Sequence, residues 1–321
     1  VAKSLFGLVT AGFLHRIGRS HPPAQPSTDA RVQEHRNLGI AFYRSRMLDE
    51  AVREFKRVME LDASDEAAEF YLGILALRQG RVDDSVRILR VAAARPGAKG
   101  SLHLNLAHAL ECAGRLDEAR VTLARAEQLL PNEPAVRMAG AALAIRRGDV
   151  PTADALLHEA AALWGTRPRP ASWFHYAGLT AAALGDLDRA IALLMEGCAA
   201  HPRAAILFNN LSATLERRGD HAAAAAALDK GLLEDASLPQ LHKNQGDLHY
   251  RAGRYDEALE CYQRCVRLAA DLGGDVWLKI GNIRFRRRER DEALRCWERS
   301  LALAPHNPMA RSNLETARRL A

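Results

Sequence analysis

GDVWLKIGNIRFRRRERDEALRCWERSLALAPHN, residues 274–307, decides the fold when set beside PQLHKNQGDLHYRAGRYDEALECYQRCVRLAADL, residues 239–272. Gly281 answers to Gly246, Ala293 to Ala258, and Trp297 to Tyr262, and both segments carry the run Asp-Glu-Ala-Leu. The same phase extends toward the N-terminus. Gly80, Gly114 and Gly148 are 34 residues apart, as are Gly185, Gly219 and Gly253, with one step of 37 between the two runs. Ala51, Ala119, Ala153, Ala190, Ala224, Ala258 and Ala293 form a parallel series, with Ser85 in the missing slot. Eight copies follow: 32–65, 66–99, 100–133, 134–167, 171–204, 205–238, 239–272 and 274–307. A fixed period of this length means stacked repeats in contact with their neighbours, not one globular core. Hydrophobic residues make up 48% of the chain, enough for a core that continues from repeat to repeat.

Each repeat reads as two antiparallel helices. Small residues at positions 8 and 20 let the helices of a repeat approach closely, and large ones at 4, 7, 11 and 24 fill the space between neighbours. Glycine at position 15 ends the first helix, because it tolerates a left-handed backbone. Acidic residues then open the second helix, where the helix dipole favours them.

Leu38, Gly39, Phe42, Ala51 and Phe55 in the first copy, Gly246, Gly253, Ala258 and Tyr262 in the seventh, and Trp277, Gly281, Ala293, Trp297 and Pro305 in the eighth resemble the tetratricopeptide repeat. The resemblance implies an all-α, right-handed solenoid superhelix of helix-turn-helix repeats, closed by a capping helix over 308–321. It also implies that the first helix of each repeat lines a concave groove, which such proteins use to hold a partner.

On that helix, positions 2, 5, 6, 9, 12 and 13 share one side. Position 6 is asparagine at Asn37, Asn105, Asn210 and Asn244, and Asn313 takes the same slot in the capping segment. A carboxamide offers a donor and an acceptor side by side, as the backbone of an extended peptide requires. Phe208-Asn209-Asn210-Leu211 resembles repeats of the O-linked N-acetylglucosamine transferases, in which such a ladder holds extended segments; no transferase domain accompanies it here. Position 13 is arginine at Arg44, Arg78, Arg146, Arg217, Arg251 and Arg286. With Lys243 and Lys279 these would select acidic side chains. The same arginines also suit the C-terminal end of a helix dipole. Phe70, Ile74, Leu77 and Leu104 form an apolar patch for a partner's anchors or for the chain's own N-terminal segment. The lysine and asparagine pattern with which some tetratricopeptide domains clamp a terminal carboxylate is not met, since Ile40 and Asp247 stand where asparagine is needed.

The net charge of +6 rests on 45 basic residues, of which 39 are arginine and six lysine. GC-rich coding explains most of that imbalance, so placement rather than number argues for function. Five scattered cysteines fit a reducing compartment. Cys261 and Cys265, one helical turn apart, read as core residues, and no metal, cofactor or catalytic motif is expected. Groove aromatics are too few for a base-reading code, so no nucleic-acid partner is expected.

Residues 1–20 differ from the repeats. Leu5, Phe6, Val9, Phe13 and Ile17 share one helical face, with basic residues at both ends. This segment would dock to a complex or membrane surface, or cap the first repeat. Residues 21–31 form a proline-rich linker. The expected function is a non-enzymatic, cytoplasmic adaptor that holds an extended acidic segment of a protein partner. The alternatives are an assembly subunit of a bacterial envelope or membrane-associated complex, docked through residues 5–17, and the regulatory segment of a larger enzyme.

Overall fold

The computed structural model describes residues 27–319, so the expectations placed on Leu5, Phe6, Val9, Phe13 and Ile17 lie outside the described residues. Among the described residues there are seventeen α-helices and no strand. The first six are α1 Thr28–Arg44, α2 Leu48–Leu61, α3 Glu66–Arg78, α4 Val82–Ala93, α5 Gly100–Cys112 and α6 Leu116–Leu129. Next come α7 Pro134–Arg146, α8 Val150–Trp164, α9 Ala171–Ala183, α10 Leu187–Ala200, α11 Ala205–Arg218 and α12 His221–Glu234. The last five are α13 Pro239–Arg251, α14 Tyr255–Leu268, α15 Gly274–Arg286, α16 Arg290–Leu303 and α17 Pro308–Arg319. Within α6, between Thr122 and Leu123, the chain divides into two compact units. In both, the fold is the all-α solenoid of tandem helix pairs.

One backbone device makes every pair. The N–H at position 16 donates to the carbonyl at position 11: Met47 to Phe42, Arg81 to Ala76, Arg115 to Leu110, Asp149 to Ala144, Asp186 to Ala181, Asp220 to Leu215, Arg254 to His249 and Glu289 to Arg284, all at 2.9 or 3.0 Å. This bond folds the chain back over a left-handed residue at position 15. Glycine supplies that conformation at six repeats, for example Gly219 at φ +90° and Gly253 at φ +73°. The other two, Arg46 at +61° and Arg288 at +64°, hold the same conformation with a side chain.

The two helices of a pair then meet at a close contact. A Cβ built on Gly246 would lie 2.6 Å from the Tyr262 ring, and one on Gly281 2.5 Å from the Trp297 ring. The alanine series is sealed: Ala51, Ala153, Ala190, Ala224, Ala258 and Ala293 are wholly buried, as is Ser85. In the first unit, Phe55 stacks on Tyr71 with centroids 4.8 Å apart, inside a core with Val32, Val58 and Leu75. In the second, Trp173, Phe174, Leu194 and Leu207 centre one core, while Tyr262, Val276 and Ile280 centre another. Helix α17 lays Ala310, Leu314 and Ala317 against Trp297 and Leu278.

Left-handed backbone costs a residue with a side chain about 1–2 kcal/mol, partly offset by the lower unfolded-state entropy relative to glycine. Urea denaturation should therefore show Gly219→Ala less stable by about 1 kcal/mol, and Arg288→Gly more stable by about half that. Equal effects of both substitutions would show that the turn is not held as described.

Candidate partner-binding face

In the second unit, the first helices of successive repeats carry one polar side, buried or half-buried along much of its length, and its side chains are linked. Asn244 Nδ2 donates to Asn209 Oδ1 at 2.9 Å. Asn209 Nδ2 donates to Asn210 Oδ1 at 3.4 Å, and Asn210 Nδ2 donates to His175 Nδ1 at 2.7 Å. The relay steps from position 6 of one repeat to position 5 of the repeat before it. It requires a neutral imidazole with Nδ1 unprotonated, and burial does lower the pKa of His175.

Farther along, the links carry charge. Asp247 accepts from the Tyr262 hydroxyl and from Lys279 Nζ, each at 2.6 Å. Lys243 Nζ lies 3.2 Å from Asp247 and 3.1 Å from Asp275. Burial by itself would raise the Asp247 pKa; hydrogen bonds from Lys279 and Tyr262, then the two lysine charges, outweigh it and hold the carboxyl below its ordinary range. Burial by itself would lower Lys243, and Asp247 and Asp275 outweigh it in turn. The Tyr262 hydroxyl is pushed up, first by burial and then by the Asp247 charge, so it stays a donor. At the end of the unit, Trp297 Nε1 and Asn313 Nδ2 both donate to Asn282 Oδ1, at 3.0 and 2.8 Å.

In the second unit, the asparagines of position 6 are thus tied to the repeat before them. Asn210 is only 5% exposed and uses both its oxygen and an N–H internally. Asn244 and Asn313 each donate one N–H and retain a second N–H and a carbonyl. In the first unit, Asn105 Nδ2 donates to the Ser101 carbonyl of its own helix, and exposed Asn37 accepts from Gln33.

The arginines of position 13 are all exposed. Arg78 lies over the Tyr43 ring and Arg286 over the Tyr255 ring, each at 4.6 Å. Arg251 pairs with Glu216. Arg44, Arg146 and Arg217 have no ion-pair partner among the described residues. In the first unit, Phe70, Ile74, Leu77 and Leu104 are all half-buried, and Phe70 lines a cavity of 220 Å³ with Tyr71, Lys99 and Leu102. His108 and Cys112 stand 4.0 Å apart, with Glu111 3.3 Å from His108. Cys261 and Cys265 are buried, and burial raises the Cys265 thiol to about 11, as it also does Cys198.

Phase in the sequence pointed to position 6 but not to its partners. His175, Asn209, Asp247 and Asn282 lie at positions 5 and 9, so each bond joins unlike positions. A spacing of 35 between His175 and Asn210, repeated between Asn209 and Asn244, was the signal available.

Replacing Asp247 leaves two half-buried ammonium groups short of a counter-ion. Asp247→Asn should cost about 1–3 kcal/mol near neutral pH, less than a fully buried pair would because both lysines keep some solvent. A carboxyl with a depressed folded pKa contributes stability above its unfolded pKa, near 3.9, that is lost as pH falls through the folded value. Thermal unfolding followed from pH 7 to pH 3 should therefore show a shallower acid loss in the variant. An unchanged acid limb would remove Asp247 from the account.

Sequence profiles of the tetratricopeptide repeat match residues 36–99, 100–125, 177–239, 239–272 and 274–307. No curated protein matches the sequence. Among solved structures, the Cut9–Hcn1 hetero-tetramer of the APC/C aligns with a TM-score of 0.70 at 18% identity, over 91% of this chain and 56% of that one. This chain therefore spans little more than half the length of that relative. Human IFIT1, solved as a dimer with m7Gppp-AAAA, aligns with a TM-score of 0.69 at 19% identity, over 92% and 72% of the two chains. Pseudomonas aeruginosa PilF gives 0.57 at 18%, over 68% and 97%. At such identities the likeness is one of fold.

Proposed function

The chain belongs to the tetratricopeptide-repeat family, whose repeats serve as protein-interaction scaffolds, and we propose that it is a cytoplasmic, non-enzymatic adaptor that holds an extended acidic segment of a protein partner. The first-helix face would do the holding, in each unit separately. The observation that carries this reading is the exposed position-13 arginines, with Arg44, Arg146 and Arg217 unpaired among the described residues. A guanidinium with no internal acid remains available for an incoming carboxylate, as a fork that can take both oxygens. Asn37, Asn105, Asn244 and Asn313 keep hydrogen-bonding capacity for a peptide backbone. Asn210 would act differently, as a positioning residue that fixes the face through His175.

A protein partner is favoured over nucleic acid by what the aromatic rings already touch. Tyr43 is covered by Arg78, Tyr250 packs against Tyr255 and Tyr262, and Phe70 against Tyr71. Base recognition needs free ring faces. The rival reading, a subunit docked through residues 5–17, draws on the apolar face of that segment in the sequence. Among the described residues no helix is long and apolar enough to cross a membrane.

The test is capture from the source cell extract with the intact chain and with Arg146→Glu, Arg217→Glu in combination, after both are shown to be equally helical. Because these side chains pair with no described residue, the variant should fold normally. A partner lost by the variant, whose binding region maps to an acidic segment, is the expected outcome. Partners retained by the variant but lost on deletion of residues 1–30 would transfer the function to the N-terminal segment.

A further inference from the structure

The second helices of neighbouring repeats leave crevices between them, floored by the first helix of the later repeat. Between α10 and α12, over α11, the crevice measures 740 Å³, and its lining is apolar with balanced charge: Arg218 and Lys230 against Asp220 and Glu234. Two repeats later, between α14 and α16, over α15, the same position holds a cavity of 580 Å³ with different chemistry. Arg267 reaches it from α14, Arg284 from α15, and Arg295 and Arg299 from α16, against a single acid, Glu292. Helical spacing puts them there. Residues 292, 295 and 299 form one stripe of α16, and 277, 280 and 284 one stripe of α15.

Arg284 is neutralised locally by Glu289 and Glu292. Arg267, Arg295 and Arg299 are exposed and pair with no acid among the described residues. Three unpaired cations around one cavity with low-dielectric walls focus a positive potential into it. The floor is apolar and fixed. Ile280 is 4% exposed, and Trp277 is locked by its indole N–H, which donates to the Ala270 carbonyl at 2.9 Å. An anchor pocket ringed by charges is the architecture of a peptide hot spot.

We propose that this crevice binds an acidic peptide segment with one large apolar anchor. The anchor packs on Trp277 and Ile280, and carboxylates on either side of it meet Arg267, Arg295 and Arg299. The cavity volume falls in the range of about 300–1,000 Å³ typical of pre-formed ligand sites, ample for one aromatic side chain and its flanking backbone. The charge pattern supplies the selectivity: the apolar crevice two repeats earlier would take the anchor but has no surplus of cations to choose the flanks. This site opens between second helices, on a side of α15 away from positions 6 and 13, and does not rest on the reading of the first-helix face.

The test uses the full chain and three fluorescein-labelled peptides: Asp-Glu-Phe-Glu-Asp, Asp-Glu-Ala-Glu-Asp and Lys-Gln-Phe-Gln-Lys. Fluorescence anisotropy should show saturable binding of the first, with Kd below about 1 mM. Affinity should fall at least about fivefold on loss of the phenyl ring, as expected for an anchor in a desolvated pocket. It should fall about tenfold or more in the variant Arg295→Gln, Arg299→Gln, as expected for charge-assisted hydrogen bonds. The variant Arg120→Gln, Arg203→Gln removes two exposed arginines that line neither this crevice nor position 13, and it should bind normally. Absence of saturable binding, equal affinity for the lysine-flanked peptide, or equal affinity of the Arg295 and Arg299 variant would overturn the proposal. Binding of inorganic triphosphate without binding of the acidic peptide would also overturn it, in favour of a phosphate ligand.

Discussion

The contact on which the rest depends is the one between a small residue at position 8 and a large ring at position 24. At Gly246 and Gly281 no Cβ intervenes, so Tyr262 and Trp297 lie directly across the opposing helix. The rings do more than pack. Each carries its polar tip past the glycine to the next residue: the Tyr262 hydroxyl to Asp247 at 2.6 Å, and the Trp297 indole N–H to Asn282 at 3.0 Å. Buried tyrosine and tryptophan need such a partner. That partner then takes a bond from position 6 of the following repeat, Lys279 in one case and Asn313 in the other. Close packing inside one repeat thereby orients the polar bond that joins it to the next.

Earlier in the second unit, position 24 is leucine, at Leu194 and Leu228, both almost fully buried. Leucine has no polar tip, so it cannot orient a residue at position 9. There the link between repeats passes instead through position 5, by the relay Asn244, Asn209, Asn210 and His175. The two solutions titrate in the same direction for different reasons. Acid would protonate His175 and remove the relay's last acceptor; acid would also protonate Asp247 and release two lysines. Both groups have folded pKa values below their ordinary ones, so both contribute stability that is complete above the unfolded pKa and fades as pH falls. For His175 the loss begins near pH 6.5, and for Asp247 near pH 4.

The phase of the repeat was plain in the sequence because the scaffold positions answer to one another across copies. Gly253 predicts Gly219, and Ala258 predicts Ala293. Even the exceptions kept the rule, since Arg46 and Arg288 adopt the left-handed backbone of the glycines they replace. The bonds between repeats were hidden because they join unlike positions. Asn210 is visible as one of a series, but its bond to His175 follows only from how far one helix is offset from the next. The crevices were hidden for a related reason. Arg267, Arg284, Arg295 and Arg299 lie on three helices, and nothing in their spacing along the chain shows that they share a cavity.

These contacts also determine which charge a partner can use. Lys243 and Lys279 looked available in the sequence, yet with Asp247 and Asp275 they form a cluster of zero net charge, and each ammonium has a carboxylate within 3.2 Å. An incoming acid would have to displace one already in place, at the cost of leaving it unpaired. Arg251 is in the same situation with Glu216. Arg146, Arg217, Arg267, Arg295 and Arg299 have no such resident acid among the described residues. An acidic partner of the kind proposed would gain the full interaction there, at residues the scaffold leaves unpaired. The lysines nearby are held by acids of the scaffold itself.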